Sequence, residues 1–376
     1  MSLAAIDPQK IILPPDLRPI DGRFGSGPAK VRTEAVDRLA ATGSTFLGTS
    51  HRRDTVRTVV GQIRSGLTDL FSLPDGYEVI LGNGGATAFW DAAAFGLIEQ
   101  RSEHAVLGEF SSKFAALVTA VPHLAEPLIV TAEPGARPEM IADSSIDAYA
   151  LPHNETSTGV ALDIKRIGDG LMLIDATSAA GGLRVDPQQF DAYYFSPQKA
   201  FGSEGGLWLA CVAPAAIERI ERLAASDRWI PPSLDLGIAL DNSRLDQTYN
   251  TPSLATLFLL ADTVEWMNAN GGLEWAATRC DNSAATIYDW AEAHEMATPF
   301  VADAAARSRV TATIDFDGVD AEMIAAALRA NGILDTEPYR KLGRNQLRVA
   351  LFPIIEPDDV ATLTRAIDFI IAVLPE

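Results

Sequence analysis

The sequence predicts an α/β fold: a large unit with a mostly parallel sheet of seven strands covered by helices, then a smaller α+β unit. Three observations lead there. Seven short apolar runs recur along the chain, at Glu78–Leu81, Ala105–Leu107, Leu128–Val130, Ala148–Leu151, Leu171–Ile174, Ala192–Phe195 and Leu207–Val212. Each has strand length, and loops or helical patterns separate them, which is the texture of strand–helix–strand units. After Asn270-Gly271-Gly272 the order becomes long helix, strand, helix, loop, strand, helix, which calls for a small sheet of its own. A hydrophobic content of 47% over 376 residues suffices for two such cores.

In chain order, residues 1–24 are Pro-rich and irregular. A helix, a loop and a longer helix precede the first strand. Gly82–Gly85 is a glycine turn, and Ala86–Ile98 is an apolar helix. Lys113–Ala120, Ala215–Ala225 and Pro252–Asn268 also read as helices. Residues 231–251 are polar and rich in Pro and Asn, and read as a long ordered loop. The C-terminal part is predicted as helix Leu273–Met296, strand Val310–Asp315, helix Asp320–Asn331, strand Gln346–Leu351 and helix Pro357–Leu374. The expected division is a large ligand-binding domain over 25–269 and a small domain from 1–24 with 270–376.

The charge balance narrows the partners. A net charge of -20 repels nucleic acid and anionic lipid, so small molecules are the expected partners. An anionic substrate then needs a local cluster of Arg or Lys. No apolar stretch is long enough to span a bilayer, and no basic region precedes an apolar one at the N-terminus, so a cytoplasmic location is expected. Cys211 lies in an apolar run and reads as a small core residue; with Cys280 it forms no CxxC pair, and a reducing compartment suits this usage. The five histidines are scattered, so no metal is expected, and His104 and His123 read as surface or loop residues.

The most informative segment is Tyr194-Phe195-Ser196-Pro197-Gln198-Lys199. A strand ends at a Ser-Pro turn and delivers one of only six lysines. Desolvation there would favour the neutral amine, the form that attacks an aldehyde. Lys30, Lys113 and Lys165 read as helix-face residues, Lys10 as a tail residue and Lys341 as a loop residue. Read alone, Lys199 is as readily a solvated turn lysine. Two further features favour a site. Leu171–Asp175 is an apolar strand ending in one carboxylate, placed where α/β proteins bind ligands; the alternative for Asp175 is a helix cap. Gly82-Asn83-Gly84-Gly85-Ala86-Thr87 is a strand–turn–helix junction suited to a phosphate, although it is neither GxGxxG nor a Walker A loop. The polar turn Asn154–Gly159 adds hydroxyl and amide groups, which ordinary turn chemistry also explains.

Taken together, these residues resemble the class V aminotransferases of fold type I, and within them the phosphoserine aminotransferase family. The resemblance runs from Phe24-Gly25-Ser26-Gly27-Pro28 through Thr49-Ser50-His51-Arg52, His153–Thr156, Gln198-Lys199 and Asn250-Thr251-Pro252 to Leu347–Ala350. It implies pyridoxal 5'-phosphate as cofactor, with Lys199 as Schiff-base lysine and Asp175 paired with the pyridine nitrogen. It implies that Thr156 and Gln198 hydrogen-bond the cofactor, that Ala86 and Thr87 grip its phosphate, and that Phe114 stacks on its ring where the family has tryptophan. Asn250 and Thr251 would reach the phosphate from a second subunit, making a homodimer with shared active sites. His51 and Arg52 match the family's anion-binding pair, and Arg348 the arginine that clamps a substrate carboxylate.

The implied reaction moves the amino group of L-glutamate to 3-phosphohydroxypyruvate, giving O-phospho-L-serine and 2-oxoglutarate for serine biosynthesis. A phosphorylated hydroxythreonine of pyridoxine biosynthesis is a related substrate. The chain departs from the family at Thr87, where many members carry Arg. It also departs in the loop Glu337–Arg344, where a His-Arg pair is replaced by Arg340, Lys341 and Arg344 in another register, so the resemblance implies that one of these three reads the substrate phosphate and leaves open which. Both mark a divergent subgroup. The rival within the fold is an alanine– or serine–glyoxylate aminotransferase, which needs no phosphate pocket. A nucleotide-binding dehydrogenase would need a third glycine at position 87.

Overall fold

The structure is a computed structural model that describes residues 7–374. Strands β1 (Glu78–Asn83), β2 (Ser102–Val106), β3 (Leu128–Thr131), β4 (Ala148–Pro152), β7 (Leu171–Asp175), β8 (Ala192–Phe195) and β9 (Leu207–Val212) build the large sheet; β5 (Asn154–Glu155) and β6 (Val160–Ala161) form a separate two-stranded ribbon. The order across the large sheet is β1-β9-β8-β7-β4-β2-β3. Every neighbouring pair is parallel except those made by β9, which runs against both β1 and β8. All seven runs expected from the sequence are therefore strands of one sheet.

The helices are α1 (Thr33–Ala41), α2 (Asp54–Leu70), α3 (Ala86–Gly96), α4 (Glu109–Thr119), α5 (Pro214–Ala224), α6 (Leu236–Arg244), α7 (Leu254–Ala269), α8 (Gly272–Ala293), α9 (Ala321–Ala330) and α10 (Pro357–Val373). Strand side chains alternate between two cores, as a pleated sheet buried on both faces requires. Ile80, Leu171, Leu173, Ala192 and Tyr194 join one core with residues of α3, α4, α5 and α6. Val79, Leu81, Met172, Ile174, Tyr193 and Phe195 join the other with α2, α7 and α8. Helix α6 corrects the expectation of a loop over 231–251. Its start is a capped one: Asp235 Oδ1 accepts the Gly237 N–H at 2.8 Å.

The C-terminal part contains the antiparallel sheet β10 (Ala297–Pro299), β11 (Thr311–Phe316), β12 (Gln346–Ala350), of which the short β10 was not expected. The N-terminal segment returns to this part: Leu334 N–H donates to Gly22 O at 2.7 Å, and Ala350 N–H to Phe24 O at 3.0 Å. Two lysines differ from expectation. Lys30 and Lys165 lie in loops, and the Lys30 ammonium is buried 3.4 Å from Asp21. Cys211 is a fully buried core residue.

This topology gathers the chain segments that matter. Strands β1, β4, β7 and β8 point the same way, so the segments after them emerge along one edge. That edge carries Gly84-Gly85 after β1, Asn154 after β4, Asp175 at the tip of β7, and Lys199 in the turn after β8. Ligands of open α/β sheets bind at this kind of edge.

Candidate active site

Lys199 sits in a turn held from outside the sheet. Ala29 N–H donates to Gln198 O at 2.8 Å, and the Lys199 amine donates to Ser26 O at 2.5 Å. Gly27 makes this approach possible. Its φ is +145°, and a Cβ built there would lie 2.2 Å from Lys199 Nζ, so no side chain is accommodated. Burial, reinforced by the charge of Arg348, lowers the Lys199 pKa to about 8, against an opposing pull from Asp175 and Glu155. Burial therefore moves the amine toward the neutral form that attacks an aldehyde.

Asp175 lies in the same pocket. Residues 171, 173 and 175 of β7 share one face, which places the carboxylate against α3. Its Oδ1 accepts the Thr177 N–H and its Oδ2 the Trp90 indole N–H, both at 2.9 Å. Burial raises its pKa, and these two bonds oppose that shift. Both donors are neutral, so a buried carboxylate here lacks a bonded cation.

The pocket between them has a volume of about 300 Å³ and is lined by Gly85, Ala86, Thr87, Trp90, Phe110, Asn154, Thr156, Asp175, Gln198 and Lys199, among others. Gln198 Oε1, Asn154 Oδ1, Ser26 Oγ and Arg348 Nε are buried without a hydrogen-bond partner among the described residues. Helix α3 starts at the pocket with Gly85 as its N-cap and no side-chain cap, leaving its first N–H groups for an anion. A primary amine, an uncompensated carboxylate and an open helix N-terminus fit an aldehyde-bearing pyridine phosphate: each would find its chemical complement.

The expected site residues divide. Ala86, Thr87, Thr156, Asp175, Gln198 and Lys199 all line the pocket. Thr156 Oγ1 and Asn154 Nδ2 both bond Ser178 Oγ at 2.8 Å. Arg348, on β12, is largely buried; its Nη1 lies 3.5 Å from Thr156 O, and its Cζ is 5.4 Å from the Tyr339 ring centre.

Phe114 requires correction. It is buried outside the pocket, stacked on Trp90 at 5.8 Å, with His104 edge-on at 4.9 Å. Phe110, one turn earlier on α4, provides the aromatic lining, 5.9 Å from Lys199 Nζ. The two lie four residues apart on one helix face, and only the helix start reaches the strand ends.

Of the candidates for the substrate phosphate, Arg344 lies outside the pocket lining, with its guanidinium paired with Asp315 and 4.6 Å from the Phe300 ring centre. Lys341 is exposed and paired with Glu109.

His51, Arg52, Asn250 and Thr251 are brought together, but as a separate patch beside the end of β1 rather than in the pocket lining. His51 Nδ1 and Thr251 Oγ1 are 3.1 Å apart, Asn83 Nδ2 donates to Thr251 O at 3.2 Å, and Arg52 Nη1 donates to Gln247 Oε1 at 3.3 Å. Burial, then the charge of Arg52, lowers the His51 pKa.

Sequence reasoning did not find Trp90, Glu155 or the burial of His104. The Glu155 carboxylate accepts from Ser111 N–H at 3.0 Å and Ser157 Oγ at 2.6 Å, which fixes the start of α4. Gly108 is required there, since a Cβ would come within 2.5 Å of Glu155 Cγ. His104 is an interior residue of β2, 2.9 Å from Ser102 Oγ, and burial lowers its pKa to about 4.

A neutralisable buried amine and a buried carboxylate at the strand ends of such a sheet define an enzyme that works on amino groups through a carbonyl cofactor. The family model described as Aminotransferase class-V matches residues 24–334. The chain belongs to the class-V aminotransferase family, and its cofactor is pyridoxal 5'-phosphate. It is similar to a protein of Rhodococcus jostii (strain RHA1) named phosphoserine aminotransferase, 56% identical over 367 residues, covering 96% of this chain and 98% of the relative. A protein of Nocardioides sp. (strain ATCC BAA-499 / JS614) with the same name is 57% identical over 365 residues, with the same two coverages. Among solved structures, a phosphoserine aminotransferase from Cytophaga hutchinsonii superposes with a TM-score of 0.86. It covers 93% of this chain and 99% of its own, and at 24% identity it supports the fold. No helix among the described residues is long and apolar enough to cross a membrane.

Proposed function

We propose that this chain is a phosphoserine aminotransferase, moving the amino group of L-glutamate to 3-phosphohydroxypyruvate. The observation that carries the reaction is Lys199, a buried amine poised near neutrality opposite Asp175. The substrate follows from relatives of that name matching 96% of the chain at 56–57% identity.

When bound, pyridoxal 5'-phosphate supplies an aldehyde and a protonatable ring that accepts the electron pair released at the substrate Cα. Lys199 takes that proton as a neutral amine and returns it, acting as base and then acid. Asp175 keeps a proton on the ring nitrogen; Thr156 and Gln198 bond the ring substituents; the N–H groups of Ala86 and Thr87 hold the phosphate. Phe110 provides the aromatic face. Arg348 receives the substrate α-carboxylate in its guanidinium fork. We place His51 and Arg52 at the distal anion of a substrate bound by a second copy of the chain, with Asn250 and Thr251 at that copy's cofactor phosphate. The working unit is then a homodimer. We also divide the chain into a large domain over 25–269 and a small one from 1–24 with 270–376, of which residues 1–6 and 375–376 lie outside the described part.

A substrate panel tests the reading. With L-glutamate as donor, kcat/KM for 3-phosphohydroxypyruvate should exceed that for glyoxylate or unphosphorylated hydroxypyruvate at least about 100-fold. Equal or faster turnover of glyoxylate would overturn the substrate assignment.

A further inference from the structure

Trp90 has no role in the mechanism above, yet it lines the pocket and touches its carboxylate. It lies four residues into α3, so it shares a helix face with Ala86 at the phosphate end. Its ring is 4% exposed and stacked on Phe114, which is itself wedged against His104. This packing leaves the indole little freedom. Its single N–H is directed at Asp175 Oδ2 at 2.9 Å.

We propose that Trp90 is a positioning residue of the cofactor site: its indole N–H fixes the Asp175 carboxylate in the orientation that receives a protonated pyridine nitrogen. The inference rests on the pairing of Asp175 with the ring nitrogen proposed above.

The carboxylate has two oxygens, each bonded by one N–H group, and the Thr177 hydroxyl beside them also holds its pKa down. Thr177 N–H occupies Oδ1 and Trp90 occupies Oδ2, so each oxygen keeps one lone pair. With both oxygens held, the plane of the carboxylate is set, and the remaining lone pairs are available to the pocket that Asp175 lines. Without the indole, Oδ2 of a buried anion would lose its N–H donor, which favours protonation. A protonated Asp175 would no longer hold a pyridinium.

None of the other groups around it is bonded to Oδ2 in place of the indole. From β8, the Tyr194 hydroxyl is buried without a partner, and the Tyr193 hydroxyl is engaged with His153 Nδ1 at 3.0 Å. Glu155 beyond β4 repels a negative charge on Asp175, and Lys199 beyond β8 donates to Ser26 O. Burial raises the Asp175 pKa, and Trp90 is one of the bonds holding it down.

The probe is pyridoxamine 5'-phosphate, which has no aldehyde and cannot link to Lys199. Its dissociation constant with the full chain is measured by calorimetry over a pH series, for the parent, Trp90→Phe and Phe114→Leu. A hydrogen bond to a charged group is worth about 1.5–3 kcal/mol, so Trp90→Phe should bind the probe about 10- to 100-fold more weakly near neutral pH. The acid side of its binding profile should also move to higher pH by about 1 to 2 pH units, because Asp175 then protonates earlier. Phe114→Leu disturbs the same stack but keeps the N–H, and should lower the melting temperature while leaving the acid limb in place.

A Trp90→Phe profile lowered equally at every pH, or an acid limb moved as far by Phe114→Leu, would assign Trp90 to packing and overturn the proposal. So would unchanged binding. If the parent chain itself binds no pyridoxamine 5'-phosphate, the cofactor reading of Asp175 fails instead, and the inference falls with it.

Discussion

Lys199, Asp175 and Arg348 are largely buried on strands or in the turn after one, while Lys341 and Arg344 lie on one exposed segment, and the two groups treat their charges in opposite ways. In the buried group, polar atoms are held by neutral backbone or indole partners, and several neighbouring atoms have no partner at all. On the exposed segment, Lys341 and Arg344 are paired with the chain's own Glu109 and Asp315. A buried polar group without a partner costs about 1–3 kcal/mol, so a fold retains several in one pocket only where an external group satisfies them. An exposed ion pair contributes little and says little about ligands. Partner state, more than charge itself, separates ligand-binding residues from surface ones in this chain.

The sharpest way to break this comparison is Lys199→Ala. Transamination should fall by a factor on the order of 10⁴, measured with L-glutamate and 3-phosphohydroxypyruvate, since base and acid are lost together. Arg348→Gln comes next. It removes a largely buried charged fork, so KM for L-glutamate should rise about 100-fold in steady-state assays.

Lys199 also makes a stability prediction. Its folded pKa of about 8 lies below the usual 10.5. Between those values the unfolded chain binds more protons, so stability rises with pH through that window, and below it the full penalty of a buried ammonium remains. In urea unfolding without cofactor, Lys199→Met should be more stable than the parent at pH 7, by on the order of 2–3 kcal/mol, and the gap should close above about pH 10.

Arg52→Gln should lower kcat/KM for phosphorylated substrate about tenfold. If sites are shared across a dimer, mixed Arg52→Gln and Lys199→Ala subunits regain activity, because one site of the mixed pair is intact; subunits with self-contained sites regain none. The smallest effect belongs to Arg344→Gln, which should cost less than about 1 kcal/mol in stability and leave KM unchanged.

The same contrast governs what could be read from the sequence. Lys199 and Asp175 were legible because each ends an apolar run, a signal contained in a few consecutive residues. The glycine turn before Ala86 was legible for the same reason. The resemblance points to Phe114 where the pocket has Phe110, because residues four apart on a helix share a face, and only the neighbouring strand ends show which of them reaches the pocket. Trp90 left no local signal, since its contact with Asp175 joins residues 85 apart in sequence. Helix α6 was hidden because its apolar stretch sits between Pro-rich and polar residues, although Asp235 before it is a usual helix start. The charge of Arg344 is visible in the sequence but its partner is not, because Asp315 lies on β11 of the small sheet, 29 residues away.

The central claim is that one lysine, at position 199, carries the cofactor. Holding the purified chain with pyridoxal 5'-phosphate, reducing it with borohydride and mapping its peptides by mass tests this directly. The account predicts a single pyridoxyl mark on the peptide containing Gln198-Lys199, absent from Lys199→Ala. A mark on Lys30, Lys113 or another lysine, or no mark at all, would contradict it.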